Sequence, residues 1–141
     1  MLFRSPSGSG VAMKLVVNAL LGIGMQALAE AVTLGGALGL PRDLLFDTLA
    51  KTAVVSPVQA GKLASTKRHD YTPQFPIRLM KKDFGLALDA AMRAGLSLPA
   101  TEAAAAVNAA ETGDGGEEDF SAVVRRMEQE VAAESSLPPA A

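Results

Sequence analysis

The stretch from Leu15 to Pro41 constrains this chain more than any other. It is almost wholly apolar, and its longest charge-free piece, Leu15 to Ala29, runs 15 residues and includes Asn18 and Gln26. A membrane span needs about 18 or more apolar residues without charge. The segment therefore reads as a helix buried on most of its surface, inside a domain or between subunits. One long helix is expected from Gly10 to about Gly36. Gly22 and Gly24 weaken it locally, small residues let other helices approach closely, and Gly35, Gly36 and Gly39 offer stops.

The remaining elements follow from punctuation. Pro41-Arg42-Asp43 opens a short helix with Leu44, Leu45, Thr48 and Leu49 on one side. Ser56-Pro57 starts a third helix, to about Ala64, with proline at the first helical position. Residues 65–76 read as a loop on two prolines and several polar residues. A fourth helix is expected from Ile77 to Ala94, stopped by Gly95, and a fifth from Leu98-Pro99 to about Glu111. A Gly-rich acidic turn over 112–119 leads to a sixth helix, with Asp119 as its N-cap. There is no strand pattern and no internal repeat. Abundant alanine and few β-branched residues agree with an all-α chain. The expected organisation is a linker or truncated start over 1–9, one helical domain over 10–134 and a frayed tail over 135–141.

Composition excludes several kinds of chemistry. The 141 residues fit one domain, with no cysteine and a single histidine, His69. Thiolate and His-rich metal sites are excluded, and no metal is expected. The net charge of −2 argues against a nucleic-acid binder. The first ten residues lack a long apolar run after a basic region, so no signal peptide is expected. A soluble, cytoplasmic protein with no membrane partner is the default. Charge is nevertheless uneven. Residues 62–82 carry six basic groups against Asp70, and residues 111–134 carry eight acids against Arg125 and Arg126. Each is either a solvated face or, for the basic run, a site for an anion such as a phosphorylated cofactor.

The most informative segment runs from Gly8 to Asn18, Gly-Ser-Gly-Val-Ala-Met-Lys-Leu-Val-Val-Asn. Its glycines allow close backbone approach to a ligand. It lacks the third glycine and the preceding strand of a dinucleotide fingerprint. Lys14 and Asn18 are four apart and share a helix face. A lysine flanked by apolar residues suits proton transfer to or from an oxygen, and an amide beside it can bond a substrate hydroxyl or carbonyl. The same pair also suits a plainer role, a snorkelling lysine and an asparagine bonded to a neighbouring helix. The second segment, Phe75 to Leu88, is taken alone an amphipathic helix with charged residues, and Lys82 and Asp83 are too close in sequence to face each other. His69 reads as a solvated loop residue.

In order and spacing these pieces resemble the C-terminal helical domain of the β-hydroxyacid dehydrogenase family. That family includes 3-hydroxyisobutyrate dehydrogenase and tartronate semialdehyde reductase and is related to 6-phosphogluconate dehydrogenase. Gly8-Ser9-Gly10 with Lys14 and Asn18 is similar to its catalytic-lysine segment. Met25 to Ala31 followed by Gly39-Leu40 looks like its "LAEA … GL" stretch. Phe75 to Leu88 looks like "F … L-x-x-K-D-L-x-L-A", and Gly95 to Pro99 with Gly115 to Ser121 like "G … LP" and "G … D-x-S". The resemblance covers about residues 8–128.

The resemblance implies an all-α, 6-phosphogluconate-dehydrogenase-like helical domain built on one long first helix. It implies hydride transfer between NAD or NADP and a small hydroxy acid or its semialdehyde. Lys14 would carry the proton, Asn18 would bond the substrate, and Gly10 would shape the substrate pocket. Phe75 and Asp83 would line the cofactor side, with Lys82 near the dinucleotide. The domain would form a homodimer and work with a Rossmann domain, which this chain, without a βαβ pattern or G-x-G-x-x-G, does not carry. Half a site is expected to be inactive alone. One departure is visible: many members carry two asparagines where this chain has Val17 and Asn18, which bears on substrate positioning. The competing expectation is a non-catalytic helical module that dimerises or binds a partner.

Overall fold

The structure, a computed structural model, describes residues 6–111 and 113–136. It is all helical: α1 (Pro6–Ala37), α2 (Arg42–Leu49), α3 (Pro57–Lys67), α4 (Ile77–Arg93), α5 (Pro99–Ala110), a 3-10 turn (Gly113–Gly116) and α6 (Ala122–Ser135). Among the described residues the only β-type pairing is an isolated bridge between Pro76 and Asp119.

α1 runs 32 residues without interruption and starts earlier than expected. Residues 6–9 are helical rather than linker, because Pro6 is pre-organised for a first helical turn. The stretch of α1 from Gly8 to Ala37 is long and apolar enough to cross a membrane by length and composition. Its second half is instead the spine of the domain. Met25, Leu28, Ala29 and Val32 are buried against Leu45 and Phe46 of α2, Leu63 of α3, Met80 and Phe84 of α4, Ala104 of α5 and Val123 and Val124 of α6. Each large side chain among these contributes about 1.5–3 kcal/mol by leaving water. The first half differs from expectation. Met13, Val16, Val17 and Leu20, at helical spacing, remain 53–69% exposed.

Gly22, Gly24 and Gly35 of α1 are points of contact, and none interrupts the helix. A Cβ on Gly22 would fall 2.6 Å from Met80 Sδ and 2.9 Å from Phe84 Cε1, and one on Gly35 would fall 2.6 Å from Leu45 Cδ2. Beside Gly24, Gln59 Nε2 donates to the Gly24 carbonyl at 2.8 Å, tying α3 to α1. Gly22→Val is therefore expected to cost about 1–3 kcal/mol by overpacking, despite valine's better helix propensity. Urea unfolding reads this; a variant as stable as the parent would mean that α1 and α4 do not meet there.

Three helices end alike. After α1, Leu40 N–H donates to Gly35 O and Gly39 N–H to Gly36 O, with Gly39 at φ +86°. After α4 the same pair of bonds surrounds Gly95, at φ +70°. After α3 they surround His69, at φ +55°. The left-handed stop is cheap for glycine and less so for histidine. His69 thus occupies a helix-stop position, and α3 extends to Lys67, past the expected Ala64. At the start of α3 the Ser56 hydroxyl accepts from Gln59 N–H while Gln59 Oε1 accepts from Ser56 N–H, a reciprocal cap. α2 buries Leu45 and Phe46, whereas Leu44 and Thr48 are exposed, so the expected face is rotated. The guanidinium of Arg42 lies 4.3 Å over the Phe46 ring and bonds Glu128 and the Thr66 and Lys67 carbonyls, which fixes α2 against the end of α3. α6 ends at Ser135, and residues 137–141 of the expected tail lie outside the described residues.

Candidate functional site

α1 and α4 run antiparallel and meet at Met80, Asp83 and Phe84 of α4. Where Gly22 lets them close, Phe84 fills the seam. Toward the start of α1 the seam opens into a cleft of about 330 Å³, lined by Val11, Lys14, Leu15 and Asn18 from α1 and by Asp83, Leu86, Ala90 and Arg93 from α4. The amide of Asn18 donates to Asp83 Oδ2 at 2.7 Å. That bond crosses between helices and fixes the amide plane, leaving the Asn18 carbonyl oxygen and its second N–H for other partners. Lys14 lies one turn earlier on the same face and is exposed.

Three of the expected site residues, Lys14, Asn18 and Asp83, thus meet in one cleft. Gly10 lies one turn before Lys14, is exposed, and has open space where a Cβ would stand. Lys82 is exposed beside Asp83 but does not line the cleft. Phe75 lies elsewhere. Its ring stands edge-on to Phe120 at 5.8 Å, in the loop ahead of α4. Arg93 lines the cleft and was not anticipated. The signal was available: Asp83, Leu86, Ala90 and Arg93 recur every three or four residues and so form one stripe of α4.

Three of the six basic groups over 62–82 are engaged in ion pairs. Lys62 is buried, and its Nζ bonds Asp119 Oδ2 at 2.8 Å and Gln74 Oε1 at 3.2 Å. Lys67 pairs with Asp47 and Arg78 with Glu117, both near the surface. Arg68, Lys81 and Lys82 are exposed. On the acidic side, Arg125 bridges Glu118 and Glu111 and stacks 4.7 Å over the Tyr71 ring.

Asp119 is not the N-cap of α6. The helix begins at Ala122, Ser121 holds the cap position, and the Asp119 carboxylate is turned inward. There it accepts from Lys62, from the backbone N–H groups of Gln74 and Phe75, and from Ser121 N–H. So many donors outcompete a single capping bond. Burial pushes this carboxyl up, but the bonds from Lys62, Ser121 and Phe75 outweigh it and hold the group below the usual carboxylate range. A depressed carboxyl contributes stability above its unfolded pKa, near 4, and that contribution is lost as pH falls through the lower folded value. The melting temperature is expected to drop steeply below about pH 4. In Asp119→Asn it should start lower at pH 7 and fall less over the acid range. An unchanged acid slope in that variant would place the sensitivity in other carboxylates.

A helical domain organised on one long first helix, with a lysine and an amide on a cleft between that helix and α4, has the architecture of the helical half of a hydroxyacid dehydrogenase. Residues 8–127 match the family described as "NAD-binding of NADP-dependent 3-hydroxyisobutyrate dehydrogenase", and the chain belongs to that family. It is 36% identical over 121 residues to glyoxylate/succinic semialdehyde reductase 1 of Arabidopsis thaliana, covering 85% of this chain and 42% of that protein. It is 34% identical over 128 residues to a probable 3-hydroxyisobutyrate dehydrogenase of Mycobacterium bovis, covering 86% of this chain and 44% of the relative. The crystal structure of 3-hydroxyisobutyrate dehydrogenase from Salmonella typhimurium superposes with a TM-score of 0.77 at 30% identity, over 84% of this chain and 42% of that one. The Mycobacterium tuberculosis enzyme with L-serine gives 0.75 at 32%, over 85% and 44%. The chain spans less than half the length of each of these relatives.

Proposed function

We propose that this chain is the substrate-binding, proton-carrying half of an NAD(P)-dependent dehydrogenase acting on a small β-hydroxy acid or the corresponding semialdehyde. The observation that carries the reading is the cleft itself: Lys14 and Asn18 on one face of α1, with the amide held by Asp83. The residues present suit one side of a nicotinamide site. Val11, Leu15, Leu86 and Ala90 give an apolar wall, and the exposed ammonium of Lys82 is available to a phosphate. Bound there, the nicotinamide would supply or accept the hydride. Lys14 Nζ–H gives its proton to the carbonyl oxygen as that oxygen becomes an alkoxide, and takes the proton back from the hydroxyl in the reverse direction. Asn18 bonds the substrate beside the reacting carbon. Arg93 offers a guanidinium to its carboxylate at the far end of the same stripe.

Partners follow from the exposed surface. Met13, Val16, Val17 and Leu20 form an apolar face on the same half of α1 that carries Lys14. A Rossmann domain and a second copy of the chain covering that face would close the site and exclude water from it, in a cytoplasmic homodimer. The same face also suits a purely docking role, in which Lys14 and Asn18 have no chemistry. The experiment that separates the two readings joins this chain to the Rossmann half of the Arabidopsis relative. The chain alone should reduce neither glyoxylate nor succinic semialdehyde with NADH or NADPH, because half a site cannot align hydride donor and carbonyl. The joined protein should turn over. A folded joined protein that binds NADPH and reduces neither substrate would favour the docking role.

A further inference from the structure

We propose that Arg93 sets the length of the acid that the Lys14 cleft takes: one whose carboxylate is separated from the reacting carbon by two or more methylene groups. The inference rests on the reading of that cleft as the substrate site and deepens it. The bond from Asn18 to Asp83, at 2.7 Å, fixes the register of the two helices. Because α1 and α4 run antiparallel, residues equally far from that pair stand at the same level of the cleft. Leu15 and Leu86 are each three positions away, Val11 and Ala90 each seven, and all four line it. Arg93 is ten positions from Asp83 and stands beyond them, at the far end. The cleft therefore carries, in order, a lysine with an amide, an apolar stretch and a guanidinium.

The guanidinium is available to a ligand. Arg93 makes no ion pair or hydrogen bond among the described residues, not even with Asp89, one turn earlier on α4. At about 1.5 Å per residue, Arg93 lies about 15 Å along α4 from Asp83. Lys14 lies about 6 Å along α1 from Asn18, in the same direction, so the two Cα atoms are about 9 Å apart along the cleft. Side chains on a helix lean toward its N-terminus, so in this antiparallel pair Lys14 and Arg93 lean toward each other over the apolar stretch. Their like charges keep the two heads from meeting. An acid with its carbonyl and carboxylate on neighbouring carbons engages only one of them. A longer acid gives its carbonyl oxygen to Lys14 and its carboxylate to the fork of Arg93. Its methylenes then leave water against Leu15, Leu86 and Ala90.

The test is one of binding and needs no turnover. The whole 141-residue chain, labelled with nitrogen-15, is titrated with 4-hydroxybutyrate and with glycolate, and the Asn18 side-chain amide and the Arg93 Nε–H are followed. 4-Hydroxybutyrate is expected to shift both resonances saturably and to bind about fivefold or more tightly than glycolate. Arg93→Met keeps the stem, removes the charge and should abolish that preference. Arg93→Glu should transfer the preference to 4-aminobutan-1-ol, a change that an arginine with a purely structural role would not produce. Arg93 is exposed, so both variants should melt at the temperature of the parent. Three results overturn the proposal while leaving the substrate site in place: the two acids shift Asn18 with equal affinity, the preference survives in Arg93→Met, or Arg93→Glu gains nothing for the amino alcohol. If neither acid shifts Asn18, the proposal and the reading of the cleft as a substrate site fall together.

Discussion

Lys62→Ala is expected to destabilise the fold by about 3–5 kcal/mol, because it leaves the Asp119 carboxylate buried without its cation. The side chains of the pair are 9% and 2% exposed, so water cannot replace the lost partner. Asp119 is also where three separate pieces of chain converge. Its oxygens hold the loop at Gln74 and Phe75 and the turn at Ser121, and Lys62 comes from α3. The Phe120 ring completes the enclosure, with Lys62 Nζ 5.2 Å from its centroid. A domain of this size has about 5–15 kcal/mol of stability in all, so the loss should be plain in the urea midpoint. Removing both charges, as Lys62→Met with Asp119→Leu, should cost less than the Lys62 change alone, since no charge is stranded. By contrast the Arg78–Glu117 pair, with both side chains about half exposed, is worth under about 1 kcal/mol. A Lys62→Ala loss of that smaller size would mean that solvent reaches the Asp119 site.

Much of this architecture was legible before any coordinates. Ser56-Pro57, Gly95 and Leu98-Pro99 are local signals, and α3, α4 and α5 begin or end on them because caps and stops are decided within a few residues. Lys14 and Asn18 were legible as a pair because helical spacing alone puts them on one face. Asp83 joining them was not, since a bond spanning 65 positions depends on how α1 and α4 cross. Long-range pairing also explains the two clearest misreadings. Asp119 sits just ahead of a helix and looks like a cap, yet tertiary donors claim it. Lys62 looks like part of a basic surface, yet it is the most buried cation among the described residues. The half-exposed α1 has a simpler cause: apolar composition does not tell a face buried within the chain from one left exposed, as Met13, Val16, Val17 and Leu20 are.

The central claim is that Lys14 carries the proton. In a protein that joins this chain to a Rossmann half, Lys14→Ala is expected to lower kcat by about 10²–10⁴-fold, the usual range for losing a positioned general acid. Lys14 is exposed and takes no part in the core, so circular dichroism and the melting temperature should be those of the parent. Cofactor binding should also be retained. Asn18→Ala should act differently, raising KM as well as lowering kcat, because it removes a substrate contact and strands Asp83 without its amide donor. The decisive measurement is therefore kcat for semialdehyde reduction by the joined protein with Lys14 and with Lys14→Ala, side by side. A fall of about a hundredfold or more in a folded, cofactor-binding variant is the predicted result. A variant with parental kcat would contradict the account and leave the cleft without its proton carrier.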